Sequence, residues 1–429
     1  MAGGSGRRPE GECAWLRAAQ QPDLVNEFDG ALNERLAALR AQGLLRELRR
    51  VDSPQAARIQ IGGRTLLNFA SNDYLGLANH PRLKAAAVQA LERYGAGSGA
   101  SRLLCGSLAP HHELEDALAA WKGTEAALTF SSGYATAVGT LCALLGKDDV
   151  IFVDRLVHAC IIDAARLCGA RLRVFRHHDL GALERALRRM DDRNTGVAPS
   201  GRRLIVTESV FSMDGDLAPL RELVELKDRF GAWLMLDEAH ASGLFGERRR
   251  GLAEAYGVAE RVEVQMGTLG KAVGAAGGYI CGSRVLVDYL VNRARSFIFS
   301  TAPTPAAVAA ARAGVELIQS AEGADRCQRV WARVEQLKAA LTSLGLPLET
   351  AQSAILPLIV GAETRAVALA DALGHAGVFA PAIRYPTVGR GAARLRLTLT
   401  AEHTAGDVAV LIRVLRNALP QITGAGQDH

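Results

Sequence analysis

The stretch "AWLMLDEAH", residues 232–240, contains a strand-like apolar run, "AWLMLDEA" (232–239), which carries Asp237 near its end and is followed directly by His240. Six similar runs occur elsewhere: "AALTF" (126–130), "VIFVD" (150–154), "LRVF" (172–175), "RLIVTES" (203–209), "VEVQMG" (262–267) and "GYICG" (278–282). Helical patterns such as "ATAVGTLCALL" and "LRELVELKDRF" lie between most of these runs. Because strands connected through helices pair in parallel, the alternation predicts an α/β fold with a mainly parallel, seven-stranded sheet.

Two smaller parts are predicted on either side of this sheet region. A helical pattern covers residues 23–48, and the strands "ILPLIVG" (355–361) and "ARLRLTLT" (393–400) follow a mainly helical stretch near the other end. We therefore predict an N-terminal helical arm over residues 1–67, a large domain over 68–312 and a smaller α+β C-terminal domain over 313–429.

Composition argues against several classes of protein. The 429 residues carry a net charge of +5, and the arginine-rich runs "RELRR" (46–50) and "ERRRG" (247–251) contain no aromatic residue, so we expect no nucleic-acid partner. The longest apolar run is too short to span a bilayer, and the charged N-terminus has no apolar segment. We therefore expect no membrane association and a cytoplasmic location. The seven cysteines form no CxxC pair, which predicts reduced thiols and no metal site.

The ends of two successive strands carry an aspartate and a lysine. Asp237 ends one apolar run, and Lys271 follows the next run in "GTLGKAVGAAGG" (267–278), where small residues surround it. Ligands of an open parallel sheet bind beyond the carboxyl ends of its strands. A lysine there can form a Schiff base with the aldehyde of pyridoxal phosphate, while an aspartate keeps the pyridine nitrogen protonated. Taken singly, Asp237 fits a structural ion pair or a helix cap, and Lys271 fits a surface lysine. The occurrence of both at successive strand ends favours this cofactor.

Three further strand ends carry candidate binding residues. "TFSSGYATAVG" (129–139) turns from a strand into a helix through Ser132 and Gly133, and free amides at a helix N-terminus bind phosphate. His158 could stack on the cofactor ring or be a half-exposed structural histidine. Glu208 and Ser212, in "TESVFSMDGD" (207–216), could meet a substrate oxygen or the cofactor's phenolic oxygen, or simply form a turn. The glycine-rich "YGAGSGASR" (94–102) follows a helical pattern, which argues against a dinucleotide loop.

Taken together, the motifs resemble those of the α-oxoamine synthases, a branch of the fold type I pyridoxal phosphate-dependent transferases. They occur in the order of that family over roughly residues 45–415: "SNDYLGL", "GSGASR", "SSGYATA", "DRLVHAC", "VTESVFSMDGD", "LDEAHASGLFG", "TLGKAVGAAGG", "FIFSTAPTP" and "RLRLTLTAEH". The resemblance implies that Lys271 is the Schiff-base lysine, Asp237 the pyridinium partner, His158 the stacking residue and His240 a partner of the phenolic oxygen.

The resemblance also implies binding roles for further residues. The implied cofactor-binding residues are Ser132, Gly133, Tyr134, His158, Glu208, Ser212, Asp237, His240, Thr268 and Lys271, with Ser300 and Thr301 reaching the phosphate bound by the partner of a homodimer with shared active sites. Asn72 and Arg396 would bind substrate, with Arg396 gripping the amino-acid carboxylate. Its neighbour Arg394 is expected to be an exposed strand residue. Arg50 could meet the distal carboxylate of the acyl chain or belong to a solvated basic surface.

Within the family, the segments "SAILPLIVG" (353–361) and "AIRYPTVGRGAARLRLTLTAEH" (382–403) are similar to the branch that condenses L-alanine with a pimeloyl thioester. The implied reaction uses pimeloyl-coenzyme A or pimeloyl acyl carrier protein, releases carbon dioxide and gives 8-amino-7-oxononanoate for biotin synthesis. The alternatives are a sister activity (glycine C-acetyltransferase, serine palmitoyltransferase or 5-aminolevulinate synthase) and a catalytically silent scaffold subunit. The silent scaffold is disfavoured because Lys271, Asp237 and His158 are all present.

Overall fold

The computed structural model describes residues 23–191, 201–346, 348 and 350–423. The chain divides after Leu48 into two compact units. The described part of the first unit contains helix α1 (Asp23–Ala41). The helix is shorter than the helical pattern over 23–48 predicts, because Gly43 adopts a left-handed φ of 66° just after it and Leu44 N donates to Leu39 O. The predicted boundaries near 67 and 312 stay predictions.

The second unit begins with a short hairpin and two helices, and then builds its main sheet. The hairpin and helices are β1 (Arg58–Ile61), β2 (Arg64–Asn68), α2 (Pro81–Tyr94) and α3 (Ala109–Lys122). The main sheet contains β3 (Ala126–Phe130), β4 (Val150–Asp154), β5 (Arg171–Phe175), β6 (Arg203–Glu208), β7 (Trp233–Asp237), β8 (Val264–Thr268) and β9 (Gly278–Gly282). The intervening helices are α4 (Gly133–Leu144), α5 (Ala159–Leu167), α6 (Leu180–Asp191), α7 (Leu220–Arg229) and α8 (Leu252–Ala255).

The order of strands in the main sheet is β3-β9-β8-β7-β6-β4-β5. All neighbours pair in parallel except β9, which is antiparallel to both β3 and β8. Every residue of β3, β4 and β9 is buried, as expected for a sheet that is covered on both faces. Only the edge strand β5 is largely accessible. The predicted α/β fold with a mainly parallel seven-stranded sheet is therefore confirmed.

The remaining elements form an α+β part that follows the sheet. They are α9 (Arg284–Arg293), α10 (Arg295–Ile298), α11 (Pro305–Gln319), α12 (Ala321–Ser343), β10 (Ile355–Gly361), α13 (Glu363–His375), β11 (Val378–Phe379), β12 (Ala382–Ile383), β13 (Ala393–Thr398) and α14 (Ala405–Thr423). Strand β13 lies between β10 and β12 in an antiparallel sheet, while β11 pairs with β2 in parallel. Within the described ranges, the structure contains no helix long and apolar enough to cross a membrane.

One predicted motif, "GSGASR", has a structural role. Its last residue, Arg102, makes two hydrogen bonds of 2.9 Å to the Glu115 carboxylate, and both side chains are buried. Glu115 also accepts from the amide and the hydroxyl of Thr129 on β3. Arg102 compensates the charge of the buried carboxylate. Because Glu115 lies on α3 and also bonds Thr129, it joins α3 to the edge of the main sheet.

Candidate active site

The candidate site lies at the carboxyl end of the main sheet, where the ends of β6, β7 and β8 meet. Glu208 and Asp237 are the last residues of β6 and β7 and are partners in the register of that pair. Lys271 follows Thr268, the last residue of the adjacent strand β8. The sheet topology therefore brings together three residues that lie far apart in the sequence, at the edge where parallel sheets bind ligands.

The amine of Lys271 begins a chain of short hydrogen bonds. Lys271 Nζ lies 2.7 Å from His240 Nε2, and His240 Nδ1 lies 2.6 Å from the hydroxyl of Tyr74. Burial lowers the pKa of Lys271, although the carboxylates of Asp237 and Glu208 oppose the shift. Burial and the Lys271 cation together hold the pKa of His240 well below its usual range. A neutral imidazole is therefore expected between the amine and the phenol.

The two carboxyl groups of the site are both buried. Asp237 Oδ1 accepts from Ala239 N at 2.9 Å, and burial raises its pKa while Lys271 lowers it. Glu208 Oε2 accepts from Ser212 N at 3.1 Å, and burial together with the Asp237 charge raises the pKa of Glu208 to about 8. Glu208 Oε1 is buried without a hydrogen-bond partner among the described residues. The chain thus leaves one buried polar atom available to a further group.

The candidate phosphate cradle is the start of α4. Ser132 caps this helix by accepting from Ala135 N at 3.1 Å, and it is exposed together with Ser131. A Cβ placed on Gly133 would lie 3.9 Å from the hydroxyl oxygen of Thr268, so the two predicted phosphate-binding elements are adjacent. A Cβ on Gly278 would lie 2.8 Å from the backbone nitrogen of Gly133. The glycine of β9 therefore allows the first turn of α4 to approach the sheet.

Two further predicted residues flank this cradle. His158 caps α5 by accepting from Cys160 N at 3.2 Å, and its ring stays accessible. Partial burial and the Lys271 cation lower its pKa, so the ring is expected to be neutral at pH 7. Tyr134 is exposed, and its hydroxyl donates to Asp163 at 3.0 Å.

Arg396 on β13 completes the site from the C-terminal part of the chain. Its guanidinium donates to Ser212 O at 2.5 Å, to Asn72 Oδ1 at 2.9 Å and to the hydroxyl of Tyr74 at 3.4 Å. The expectation for Arg394 was wrong: Arg394 is 6% exposed and Arg396 7%. Both side chains lie on the same side of β13, because residues two apart on a strand share a face. Arg394 donates to Met213 O and Asp214.

Some predicted residues lie outside this hydrogen-bonded group. The exposed Arg50 forms an ion pair with Asp52 at 2.5 Å, and Thr301 forms a β-bridge with Ser101. Their proposed contacts with substrate or with a partner subunit, like that of Ser300, stay predictions. Conversely, Tyr74 joins His240 to Arg396, although it was not predicted as a site residue and was noted only as part of "SNDYLGL".

The group of residues fits pyridoxal phosphate on structural grounds. Lys271 offers an amine, Asp237 a buried carboxylate, and the open turn at Ser132 and Gly133 offers helix amides to a phosphate. Glu208 Oε1, which is buried and has no hydrogen-bond partner in the described part of the chain, also points to a polar group still to be accommodated.

Comparisons with known proteins identify the family of this chain. Residues 64–415 match the family described as Aminotransferase class I and II. The 8-amino-7-oxononanoate synthase of Anaeromyxobacter dehalogenans is 49% identical over 391 residues, covering 91% of this chain and 96% of its own. A serine palmitoyltransferase from S. paucimobilis with bound PLP-myriocin superposes with a TM-score of 0.86 at 29% identity, covering 94% of this chain and 100% of its own.

A solved 8-amino-7-oxononanoate synthase from Francisella tularensis is also similar, with a TM-score of 0.69, 26% identity, and coverage of 83% of this chain and 98% of its own. The match to the family, over residues 64–415, spans most of the described chain. It includes every candidate site residue except Arg50. The chain therefore belongs to the aminotransferase class I and II family and, within it, to the α-oxoamine synthases.

Proposed function

We propose that this chain is a pyridoxal phosphate-dependent acyltransferase that condenses L-alanine with a pimeloyl thioester, releasing carbon dioxide and the carrier thiol. The product is 8-amino-7-oxononanoate, an intermediate of biotin synthesis. One observation carries the proposal: the chain of contacts from Lys271 through His240 and Tyr74 to Arg396 connects a reactive amine to a guanidinium. The similarity to 8-amino-7-oxononanoate synthases supports the choice of substrates.

Lys271 is proposed to hold the cofactor in the resting enzyme and then to move the substrate proton. When bound, pyridoxal phosphate supplies an electron sink that stabilises negative charge at the α-carbon of the amino acid. Burial lowers the pKa of Lys271, which increases the fraction of neutral amine at a given pH. Nζ can therefore accept a proton from the α-carbon, and His240 Nε2, 2.7 Å away, keeps the amine oriented.

Arg396 is proposed to bind the carboxylate of the amino acid. Its guanidinium is held by Ser212 O and by Asn72, and a planar fork of N–H donors matches a carboxylate. Asp237 would pair with the protonated ring nitrogen of the cofactor, and His158 would lie against the ring. Glu208 carries its proton at pH 7, because its pKa is about 8, and can donate it to an oxygen in the site.

The remaining parts of the proposal concern the acyl donor and the assembly. The pimeloyl group would come from coenzyme A or from acyl carrier protein, and Arg50 would meet its distal carboxylate. Two copies would form a homodimer in which Ser300 and Thr301 reach the phosphate bound by the partner. We propose a cytoplasmic location, where both carriers are available.

A sister activity is the second candidate, because the serine palmitoyltransferase fold superposes closely on this chain. The measurement that separates the candidates is the visible absorbance of the purified protein with pyridoxal phosphate, recorded before and after adding L-alanine, glycine or L-serine. We expect a band that changes most with L-alanine and, once pimeloyl-coenzyme A is added, a product with the mass of 8-amino-7-oxononanoate.

Variants test the role of the lysine in the same assay. Lys271→Ala should lose the lysine-linked band and at least about 100-fold in kcat, the scale of a lost general base. Lys84→Ala, at an exposed lysine that bonds Asn79, should behave as the unchanged protein. A response to glycine or L-serine alone would move the proposal to a sister enzyme, and no band at all would refute an enzymatic role.

A further inference from the structure

A second cluster of titratable groups lies beside the site, between the end of β4 and the loop after β6. His177 Nδ1 lies 3.0 Å from Asp154 Oδ1, and His177 Nε2 lies 2.7 Å from Asp216 Oδ2. Both aspartates are buried, and the imidazole is the group that joins them. Asp154, the last residue of β4, also accepts from the backbone amides of Leu156 and His178, which lie in the segments after β4 and β5 and fix its position.

The arrangement favours a hydrogen-bonded bridge over a metal centre. Ligand atoms of His177, His178 and Asp216 lie within 4.8 Å of one another. However, the two imidazole rings stack with centroids 3.7 Å apart at an angle of 29°. Ring nitrogens coordinate in the plane of the ring, so two stacked rings do not direct their lone pairs at one ion. His177 instead uses both nitrogens on the two carboxylates.

Asp216 closes the loop that supports the substrate-binding arginine. Phe211 N donates to Asp216 O at 3.0 Å, Gly215 N donates to Phe211 O at 2.9 Å, and Val210 forms a β-bridge with Leu217. Residues 210–217 thus form one compact turn, here called the arginine loop. The carbonyl of Ser212, inside this turn, accepts the 2.5 Å bond from Arg396.

The arginine loop is held from two sides. On the side of the C-terminal sheet, Arg394 bonds Asp214 at 2.7 Å. On the side of the main sheet, His177 Nε2 bonds Asp216 Oδ2 at 2.7 Å, and His178 Nε2 lies 3.5 Å from the same oxygen. Asp216 Oδ1 has no hydrogen-bond partner within the described ranges, so the carboxylate depends on these contacts.

We propose that His177 is a positioning residue for the amino-acid substrate. By tying Asp216 to Asp154 it fixes the arginine loop, so that the carbonyl of Ser212 presents Arg396 to the substrate carboxylate. His177 touches neither substrate nor cofactor, and its effect is expressed in binding of the amino acid. This inference rests on the proposed role of Arg396 in the reaction described above.

The test compares variants of the holoenzyme by steady-state kinetics and by amino-acid titration of the visible band. His177→Ala should raise the KM for L-alanine about tenfold, the scale of one lost charged hydrogen bond, with kcat changed less than about threefold. The KM for the acyl thioester and the affinity for pyridoxal phosphate should not change. His177→Gln, which keeps an amide donor, should recover part of the loss. His375→Ala, at an exposed histidine on α13, is the control.

Other outcomes would overturn the inference. An unchanged KM for L-alanine in His177→Ala, or an equal loss of binding for alanine, thioester and cofactor, would show that His177 has no specific positioning role. If His177→Ala does not fold, the KM for L-alanine is measured in Asp216→Asn, which removes the carboxylate charge but keeps the shape of the side chain. The same increase in KM is expected. A response of the unchanged protein to L-serine or glycine alone would refute the proposed substrate, and the His177 variants would then be titrated with that amino acid.

Discussion

Glu208→Gln should stabilise the cofactor-free protein at neutral pH, although it changes a residue of the candidate active site. Glu208 Oε2 accepts from Ser212 N at 3.1 Å, whereas Oε1 is buried without a partner in the described part of the chain. Burial and the neighbouring Asp237 charge raise the pKa of this carboxyl group to about 8. The amide oxygen of glutamine can still accept from Ser212, and the side chain carries no charge to desolvate.

The magnitude follows from the shift in pKa. In the unfolded chain the carboxyl group titrates near 4.5, so between pH 4.5 and 8 the folded chain binds more protons than the unfolded chain. The free energy of unfolding therefore falls as the pH rises through this range, by about 1.4 kcal/mol for each unit. At pH 7 the cost is about 3 kcal/mol, and glutamine, which does not titrate, removes it.

The assay is chemical unfolding of the cofactor-free protein at pH 5, 7 and 8.5, followed by circular dichroism. Glu208→Gln and the unchanged protein should be similarly stable at pH 5, and the advantage of the variant should grow up to about pH 8. Glu335→Gln, at an exposed position on α12, should follow the unchanged protein at every pH. A difference that is constant with pH, or a variant that is less stable at pH 7, would refute the reasoning.

Three further substitutions test other parts of the structure. Gly278→Ala should weaken pyridoxal phosphate binding about tenfold or more, because the added Cβ would overlap the hydroxyl of Thr136 at the start of α4; titration of the visible band measures this. Arg102→Ala should lower the free energy of unfolding by about 3–5 kcal/mol, measured in urea, because it leaves Glu115 buried without its cation. His177→Gln should destabilise the protein at pH 6 but not at pH 10. Burial opposes the charged form of His177, but bonding to two carboxylates raises its pKa from 6.5 to about 9. The charged imidazole therefore contributes about 3 kcal/mol to the free energy of unfolding. This contribution is complete below pH 6.5 and is lost as the pH rises through 9.

Two of these predictions have a matched control variant, and the third is tested by its dependence on pH. Gly374→Ala has open space around the added Cβ and should bind the cofactor normally. Arg312→Ala removes an exposed ion pair to Glu113 and should cost less than about 1 kcal/mol. Equal effects of the paired substitutions would contradict the steric and buried-charge arguments. A pH-independent effect of His177→Gln would contradict the argument from its charge.

The main sheet could be predicted because its strands are buried on both faces. Such strands are nearly continuous apolar runs, and β4 and β7 matched their predicted ranges to within two residues at each end. Strands β11 and β12, of two residues each, carry no periodic pattern and were not predicted. The early end of α1 was missed although Gly43 marked it.

The candidate site was predicted as far as its residues follow strands of the sheet. Glu208, Asp237 and Lys271 lie at strand ends that parallel pairing brings to one edge, so order along the chain was enough. The place of Tyr74 depends on contacts with His240 and Arg396, 166 and 322 residues away, and nothing in local sequence indicates such pairs. The burial of Arg394 was predictable in principle, because it shares a face of β13 with Arg396.

The bond between Arg396 and Asn72 joins residues 324 positions apart. This separation affects the order in which parts of the site can form during synthesis. Closing a flexible loop of that length costs about 5 kcal/mol in chain entropy, from (3/2)RT ln 324. During synthesis, the segment that supplies Lys271, Asp237 and Glu208 leaves the ribosome well before β13 does. A nascent chain can therefore complete the main sheet before β13 brings Arg396, the residue proposed to bind the amino acid, to the site.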